Sequence, residues 1–511
     1  MEIGTNVLAR SAAPGTRSPC SFQALGRKRT VHLHDIMKAR QPRRLTCDAT
    51  GGGGGRFDRR DLLLGLGGAA AAGLGMQRGR GAIAAPIQAP DLRNCNPPDL
   101  PDTAPDTNCC PAFGTGIVGF PDLELQIHNC WLFFPWHRFY VYFHERILGK
   151  LIGDDTFALP FWNWDAPGGM TLPAIYANRS SPLYNERRDP THQQPPFPLD
   201  LDYNGTDPSI PTDQEIDENL MIMYRQMVSS SKKTELFMGQ PYRAGDAPDP
   251  GAGAIESVPH NPVHRWTGDA RQPNGEDMGN FYSAARDPIF FAHHSNIDRL
   301  WHVWRGLRPG VNTDFPDADW LDAAFLFYDE EARPVRVRVR DCLDPAAMGY
   351  AYQDVGLPWL DARPATKSAV TPAPASGSLP ATLSETVRVT VTRPEVSRSA
   401  AEKEAAEEVL IVEGIEIADH FKFIKFDVMV NAPESGAGAA TGYCAGSVAL
   451  TPHMVRQNKK KGSVKTVARF GVCDLMDNIG ADGDKTVVVS LVPMCGGELI
   501  TVGGVSIGYT E

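Results

Sequence analysis

Apolar and polar residues follow two different patterns along this chain. In the first two thirds, apolar residues recur at spacings of three and four, the pattern of amphipathic helices, in segments 136–153, 216–231 and 289–307. Long stretches rich in Pro, Asn and Asp, such as 177–213, separate these segments. The pattern predicts a small, mainly α-helical core with long irregular loops.

Beyond residue 385 the pattern changes to an alternation of apolar and polar positions that favours β-branched residues. Turn residues separate the alternating segments, so the sequence predicts a C-terminal antiparallel β-sandwich or barrel. The predicted strands are 386–393, 409–417, 423–430, 486–493 and 500–509.

Composition divides the chain further. Residues 1–90 form a leader, 91–361 the helical unit and 385–511 the β unit. Segment 362–384, rich in Ala, Pro, Ser and Thr, is typical of a linker.

The composition of the leader is typical of a targeting signal rather than of a folded element. Residues 1–47 are rich in Arg and Ser and carry only two acidic residues, which is typical of an organelle transit peptide. Arg59 and Arg60 precede the weakly apolar run 62–74 and resemble a twin-arginine export signal. The two signals predict delivery to the chloroplast and then to the thylakoid lumen. The alternative is a disordered N-terminus that contains a chance arginine pair.

Charge and hydropathy exclude two classes of protein. The net charge is −11 although residues 1–80 are net basic, so the remaining chain is strongly acidic. A protein that binds nucleic acid needs a basic face, and we expect none. No run of 18 apolar residues occurs, so no transmembrane segment is expected.

The first group of candidate metal ligands lies in the stretch 128–140, HNCWLFFPWHRFY. His128 and His137 are nine residues apart and would face opposite sides of one straight helix. Pro135 allows a helix to begin near it, with His128 on the preceding loop and folded back to meet His137. His144 lies two helical turns beyond His137, too far to share its metal.

The second group combines HNPVH at 260–264 with the histidine pair of DPIFFAHHSNIDRLW. His260 and His264 are four residues apart and share one face of a helix, whose start the neighbouring prolines indicate. Either His293 or His294 would complete the set, because adjacent helical residues point about 100° apart. Imidazole suits copper, zinc or iron. Five good ligands in two groups predict a pair of metals, with a sixth ligand not evident.

These motifs carry a resemblance to a known family. HNxWxxFPWHRxY, HNxVH and DPIFFAHHSNIDRLW look like the two copper-binding regions of plant polyphenol oxidases, the catechol oxidase and tyrosinase family of type 3 copper enzymes. Further segments resemble the family at FWNWDAPGGM (161–170), DWL (319–321), YAY (350–352) and KFDV (425–428). The resemblance covers essentially the whole mature chain. It implies a helical-bundle dicopper domain followed by a β domain that shields the active site.

The resemblance also assigns individual residues. The implied copper B ligands are His260, His264 and His294, with His293 not a ligand, and the implied copper A ligands are His128 and His137. Three further residues are implied to act on the substrate: Glu256 holds a water over the site, Asn261 acts with it on monophenols, and Phe281 is a gate over copper. Asp298 is expected to orient a ligand or to cap the region of Arg299.

One family segment is missing. The family places a third copper A histidine, with a cysteine that forms a thioether, upstream of the HNxW motif. The 17 residues between Cys110 and His128 contain neither His nor Cys. We therefore expect a truncation between about 111 and 118 and an incomplete copper A site. By the resemblance Cys95 pairs with Cys110, while Cys109 has lost its partner; a pairing of Cys109 with Cys130 is a speculation.

The implied reaction is the copper-dependent oxidation of o-diphenols (catechols) to o-quinones by dioxygen, with two copper ions as cofactor. Whether monophenols are also hydroxylated stays open. One alternative is an inactive or impaired member that binds only copper B, and a second is a non-catalytic copper- or dioxygen-binding protein. A zinc hydrolase built on HNPVH is disfavoured because no Glu lies between the two histidines to act as base.

Overall fold

The computed structural model describes the backbone of residues 9–10 and the residues 127–193, 197–243, 245–366, 371–435, 438–452 and 463–510. The rest of the predicted leader, the predicted Cys95–Cys110 disulfide and the predicted truncation lie outside the described residues. Of the described cysteines, Cys342, Cys444, Cys473 and Cys495 are free thiols. No described helix has the length and apolar character needed to cross a membrane.

Helices dominate the part of the described chain before residue 324. The α-helices are α1 (Phe133–Ile152), α2 (Ala174–Ala177), α3 (Thr212–Tyr224), α4 (Thr234–Met238), α5 (Asn261–Thr267), α6 (Phe281–Ala284), α7 (Ile289–Leu307), α8 (Ala318–Asp322), α9 (Ala400–Ala405) and α10 (Cys473–Asn478). Two π-helical turns, Arg225–Ser229 and Glu256–His260, adjoin α3 and α5. Short 3-10 turns occupy Pro167–Gly169, Pro190–His192, Val339–Cys342, Pro358–Asp361 and Gly497–Leu499.

The predicted bounds were confirmed for α7, whereas α1 begins three residues before its predicted start. Helix α7 has the predicted bounds. Helix α1 begins at Phe133, before the predicted start, and Pro135 occupies its first turn, where no intrahelical N–H donor is needed. It ends at Ile152, and Gly153, whose φ is 68°, forms the left-handed C-cap. The third predicted segment, 216–231, falls on α3 and the π-helical turn that follows it.

Helices α1 and α7 pack against each other at the centre of the helical core. The guanidinium of Arg138 on α1 forms an ion pair with Asp298 on α7 and lies 3.7 Å from the ring centroid of Trp301. The core is rich in fully buried tryptophans: Trp131, Trp164, Trp266, Trp301, Trp304, Trp320 and Trp359. Close packing of such large side chains leaves the two helices little freedom to move.

The strands of the described chain form four sheets. They are β1 (Ala9–Arg10), β2 (Ala324–Tyr328), β3 (Pro334–Arg338), β4 (Tyr350–Ala351), β5 (Ala381–Thr382), β6 (Val387–Thr392), β7 (Glu408–Ile417), β8 (Ile424–Val430), β9 (Cys444–Leu450), β10 (Val464–Gly471), β11 (Thr486–Cys495), β12 (Ile500–Val502) and β13 (Gly504–Tyr509). The pairs β1–β4 and β2–β3 are small antiparallel sheets. The others build the C-terminal domain.

The C-terminal domain is a sandwich of two antiparallel sheets, and the described strands do not close into a barrel. One sheet has the order β10-β7-β12-β5, with β13 also paired to β7, and the other has the order β6-β11-β8-β9. The apolar faces of both sheets share one core.

The predicted strand 500–509 is two strands, β12 and β13, which are separated at Gly503 and both pair with β7. Strands β9 and β10 were missed. Six of the seven residues of β9 are buried, so β9 shows no alternation of apolar and polar positions. Strand β10 carries a register shift between Thr466 and Ala468 that interrupts its alternation.

Strand β9 also places the C-terminal domain against the helical core. The hydroxyl of Ser257 donates to the carbonyl of Ser447 at 2.9 Å, and the amide of Asn261 donates to the carbonyl of Ala449 at 2.6 Å. Elsewhere in the contact, the buried ammonium of Lys425 lies 2.9 Å from a carboxylate oxygen of Asp202 in the helical core. The C-terminal domain therefore lies on the segment that carries HNPVH.

Candidate metal centre

The π-helical turn Glu256–His260 and helix α5 present the HNPVH histidines to the interior. Val258 leaves the helical conformation (φ −143°, ψ 125°), and α5 begins at Asn261 with Pro262 in its first turn, as the prolines predicted. The side chains of His260 and His264 are both inaccessible to solvent, and their ring centroids are 4.6 Å apart.

Helix α7 brings His293 and His294 to the same place. Nε2 of His264 and Nε2 of His294 are 3.4 Å apart. Among the described residues, the candidate ligand atoms of His260, His264, His293 and His294 all lie within 4.8 Å of one another. Four imidazoles therefore meet at one point, and geometry alone does not decide which three would bind a metal ion.

Hydrogen bonds to carbonyl groups fix the protonation of three imidazoles in the site. Nδ1 of His264 donates to the carbonyl of Met278 at 2.8 Å, and Nδ1 of His137 donates to the carbonyl of Phe133 at 2.8 Å. Nδ1 of His260 faces the side-chain oxygen of Asn261 at 3.1 Å. Since a neutral imidazole carries one proton, Nε2 of each ring is left with a free lone pair. These contacts are of the kind that orients metal-binding histidines.

His293 has the opposite arrangement. The indole Nε1–H of Trp164 donates to Nδ1 of His293 at 3.1 Å. Because an indole nitrogen is a donor only, Nδ1 of His293 must accept, and its proton resides on Nε2. An Nε2 that carries a proton cannot bind a metal ion. This contact supports His294 rather than His293 as the third ligand beside His260 and His264.

His128 and His137 form the second half of the site. The ring of His128 is 5.1 Å from that of His137, so the loop that carries His128 folds back onto α1 as the spacing predicted. His137 stacks on His294 with ring centroids 4.3 Å apart. His128 lies 6.1 Å from His260. The two predicted ligand groups therefore share one interior site.

Burial keeps these imidazoles neutral. It lowers the pKa of His137 to about 3 and that of His264 to about 4. Burial also lowers the pKa of His260 and His294 well below the usual value, and the neighbouring histidines add to the effect. Neutral imidazoles with free lone pairs are ready ligands for copper or zinc. The Nε2 atom of His260 is buried and accepts no hydrogen bond from any described residue, so a metal ion would satisfy it.

A buried acid lies next to the histidines. Oε1 of Glu256 accepts the backbone N–H of Asn129 at 2.6 Å, while Oε2 is buried and has no hydrogen-bond partner among the described residues. Burial raises the pKa of Glu256 well above its usual range, and the nearby carboxylate of Asp249 adds to the rise. The side-chain amide of Asn129 donates to Asp249 at 2.8 Å. No sequence pattern indicated Asp249, and Asn129 could have been noticed only because it follows His128.

Two further predicted residues line the site. The ring of Phe281 stacks on His128 at 4.1 Å and lies 5.1 Å from His264, so it covers both histidine groups. The Asn261 amide donates to the carbonyl of Ala449, and the same amide's oxygen faces His260. The C-terminal domain therefore orients Asn261.

Asp298 does not cap the region of Arg299, so that one of its two expected roles was wrong. Arg299 binds the carboxylate of Asp165 at 3.0 Å. Asp298 lies on the face of α7 that packs against α1, where it pairs with Arg138 and accepts the hydroxyl of Tyr350 at 2.7 Å. Arg138 follows His137 directly, so this contact fixes α1 against α7 beside the histidines.

Comparison with protein-family models gives three matches along the chain. Residues 99–307 match the common central domain of tyrosinase, 314–365 the polyphenol oxidase middle domain, and 379–509 the chloroplastic polyphenol oxidase C-terminal domain.

Known proteins resemble the chain over most of its length. A chloroplastic polyphenol oxidase of Malus domestica is 45% identical in an alignment that covers 92% of this chain and 93% of that protein. The aureusidin synthase of Antirrhinum majus is 42% identical over 83% of this chain and 88% of that protein. The solved structure of latent apple tyrosinase superposes with a TM-score of 0.72 at 52% identity, over 77% of this chain and 86% of that structure.

Proposed function

The chain belongs to the plant polyphenol oxidase family, whose members oxidise phenols with copper, and we propose that it oxidises o-diphenols (catechols) to o-quinones with dioxygen. The observation that supports this best is that the buried imidazoles of His260, His264 and His294 lie beside those of His128 and His137. In the proposed reaction two catechols lose two electrons and two protons each, and one dioxygen becomes two waters.

The residues fit a pair of copper ions. His260, His264 and His294 would hold copper B, and His128 and His137 would hold copper A. A copper pair supplies dioxygen binding and the transfer of two electrons from one substrate molecule. The absence of a carboxylate between His260 and His264 removes the base that a zinc hydrolase of this pattern needs.

The protein's own side chains position the phenol and take up its proton. Phe281 lies over both histidine groups and presents an aromatic face on which a phenol ring can stack. Glu256 is placed to act as a general base, because the backbone N–H of Asn129 holds one carboxylate oxygen and the other has no hydrogen-bond partner among the described residues. With Asn261, Glu256 would deprotonate a monophenol, which extends the proposal to monophenol hydroxylation.

The alternative is an impaired enzyme that holds only copper B, because two histidines rather than three are identified for copper A. The alignment with the apple relative runs over 560 positions, more than the 511 residues of this chain, so part of that relative has no counterpart here. We propose that the unmatched part includes a segment missing before His128. Loss of one metal ligand costs more than loss of an outer-shell contact, which already lowers affinity about 10–100-fold.

The proposed substrate is a small phenol, and the chloroplast is the proposed location. Similar proteins from Malus domestica and Vitis vinifera are named chloroplastic. The twin-arginine pattern at Arg59 and Arg60 narrows the proposal to the thylakoid lumen. One relative carries the name aureusidin synthase, so membership of the family does not select one phenol.

Copper content decides between the two forms of the proposal. We expect purified protein that starts near Asp91 to bind two copper ions per chain and to oxidise catechol. Two coupled Cu(II) ions give no electron paramagnetic resonance signal, whereas an isolated Cu(II) ion does. Metal analysis combined with this spectrum is the measurement. One copper per chain with the isolated signal and no oxidation would establish the impaired alternative, and oxidation by the one-copper protein would refute the requirement for a pair.

We also propose that the C-terminal β domain, 385–511, shields the site. Strand β9 contacts Ser257 and Asn261, and the backbone N–H of Phe281 donates to the carbonyl of Pro452 at 2.9 Å. Three segments of the site are therefore hydrogen-bonded to this domain. A phenol would reach Phe281 more easily when the domain is removed.

Cleavage within the linker 362–384 should raise catechol oxidation by at least about tenfold, because a cut makes the domain contact bimolecular and dilution then releases the domain. A protease recognition sequence can be inserted between Pro374 and Ala375, which are both exposed. Initial rates are compared before and after cleavage, with the uncut insertion variant and protease-treated wild-type protein as controls. Unchanged activity after complete cleavage and separation of the fragments contradicts the shielding.

A further inference from the structure

One residue beside the site joins both of its functional halves. Asn129 follows the ligand His128, and its backbone N–H donates to Oε1 of Glu256 at 2.6 Å. Its carbonyl accepts the N–H of Gly251 at 3.0 Å. The position of Asn129 therefore fixes the backbone from which the His128 side chain extends, and it fixes the position of one carboxylate oxygen of Glu256.

The backbone of Asn129 adopts a conformation that needs support. Its φ is 56°, in the left-handed region that L residues other than Gly rarely enter, although Asn and Asp tolerate it best. The side chain supplies the support, because its amide donates to Asp249 at 2.8 Å. Asp249 itself has a φ of 61°. Two residues in a rare conformation therefore bind each other, 120 positions apart in the chain.

Asp249 has no role in the mechanism described so far, yet it is almost completely buried, with 3% of its surface exposed. Burying a carboxylate is costly unless it is hydrogen-bonded. Asn129 supplies that hydrogen bond and directs its two N–H groups at two different carboxylates, those of Asp249 and Glu256. Holding Oε1 of Glu256 in this way leaves Oε2 as the oxygen that can meet a substrate proton.

We propose that Asp249 is a positioning residue that acts through Asn129 to fix His128 and Glu256. Without its carboxylate, the amide of Asn129 loses its partner and the peptide after His128 can rotate. His128 then loses its orientation towards His137, and Glu256 loses the donor on Oε1. The roles of His128 and Glu256 rest on the proposed function, whereas the contact between Asp249 and Asn129 does not.

The test compares Asp249→Gly with Asp249→Asn. Glycine accepts the left-handed backbone but removes the carboxylate, whereas asparagine keeps both the backbone preference and an acceptor oxygen. Amide hydrogen exchange of the peptide that spans 128–132 is measured by mass spectrometry on the full mature chain. We expect about tenfold faster exchange in Asp249→Gly, the change expected for loss of one buried hydrogen bond, and exchange close to wild type in Asp249→Asn.

A double-mutant cycle ties the effect to this one contact. Asn129→Gly keeps the backbone N–H but removes the amide that Asp249 binds. If the contact is the cause, Asp249→Gly added to Asn129→Gly accelerates exchange no further. Additive effects overturn the proposal, and so does unchanged exchange in Asp249→Gly. Asn431→Gly is a matched control, because Asn431 also has a positive φ and accepts a hydrogen bond from Val488 in the C-terminal sheet, far from residues 128–132.

Two functional readouts separate this inference from the proposed function. Asp249→Gly should bind less copper per chain than Asp249→Asn, and its ratio of monophenol to catechol oxidation should fall. If wild-type protein binds copper but oxidises no phenol, the proposed function fails while the exchange cycle still decides the role of Asp249. A copper content equal in both variants, with wild-type exchange, would overturn the inference alone.

Discussion

His294→Ala is expected to abolish copper binding at the B position and to lower catechol oxidation by about a thousandfold or more. Loss of an outer-shell contact alone lowers metal affinity or activity about 10–100-fold, and here a ligand itself is removed. Nε2 of His294 lies 3.4 Å from Nε2 of His264, whose proton is fixed on Nδ1 by the carbonyl of Met278. The measurement is copper per chain together with initial rates.

The matched variant is His293→Gln, at the neighbouring position on α7. The side-chain oxygen of glutamine can accept the indole N–H of Trp164, which now binds Nδ1 of His293. We therefore expect unchanged copper content and activity within a few-fold of wild type. Circular dichroism confirms that both variants are folded. If His293→Gln loses copper and His294→Ala retains it, the assignment of the two rings is reversed.

Lys425→Met is expected to lower the free energy of unfolding by about 3–5 kcal/mol, the usual cost of removing one partner from a buried ion pair. The ammonium of Lys425 is fully buried and lies 2.9 Å from Asp202 and 2.8 Å from Asp427. Without it, the buried carboxylate of Asp427 and the partly buried carboxylate of Asp202 lose their counter-ion at the contact between the helical core and the C-terminal domain. Urea unfolding of wild type and variant measures the difference.

The loss in Lys425→Met should be larger at pH 8 than at pH 5. Burial raises the pKa of Asp202 to about 7, and Lys425 opposes that rise. Removing Lys425 therefore raises the pKa of Asp202 further. A carboxylate whose pKa is raised in the folded state keeps a proton that the unfolded chain releases above about pH 4, so the free energy of unfolding falls between about pH 4 and the folded-state pKa. Because this pKa is higher in Lys425→Met than in wild type, the variant continues to lose stability above about pH 7.

Lys465→Met provides the control for a lost lysine. Lys465 pairs with Glu416 at 3.5 Å, but its side chain is 70% exposed. Exposed ion pairs contribute about 0–1 kcal/mol, so the variant should unfold almost as wild type does. An equal loss of unfolding free energy in the two variants would show that burial does not make the Lys425 ion pair more important for stability than an exposed pair.

Local sequence patterns predicted the elements that bury one continuous face. Helix α7 has the predicted bounds because its apolar residues recur with the helical period over 19 residues. The strands β6, β7, β8 and β11 were found for the corresponding reason, since they alternate or are rich in β-branched residues. Strand β9 was missed because burial of both faces removes the alternation. Gly446 within it has no side chain to indicate a face, since the ring of Phe470 occupies the space where a Cβ would lie.

Sequence spacing predicted which histidines form the candidate site, but it did not predict which of the adjacent pair binds metal. Spacing placed His260 with His264 and brought His128 back to His137 through Pro135. It could not choose between His293 and His294, because adjacent positions on a helix are equivalent in sequence. Trp164, which is 129 positions away from His293, supports that choice through one hydrogen bond.

The sequence by itself determined the two structural classes, the helical core before the linker and the β domain after it, together with the histidines that could bind metal. These follow from periodicity and from side-chain chemistry, which are local properties of the chain. Only the tertiary structure decided how those groups are held. The side-chain amide of Asn129 donates to Asp249, that of Asn261 donates to the carbonyl of Ala449, and Lys425 forms an ion pair with Asp202 between the two domains. The physical reason is that each contact joins residues 120 or more positions apart, and a hydrogen bond or ion pair depends on distance in space, which no local pattern encodes.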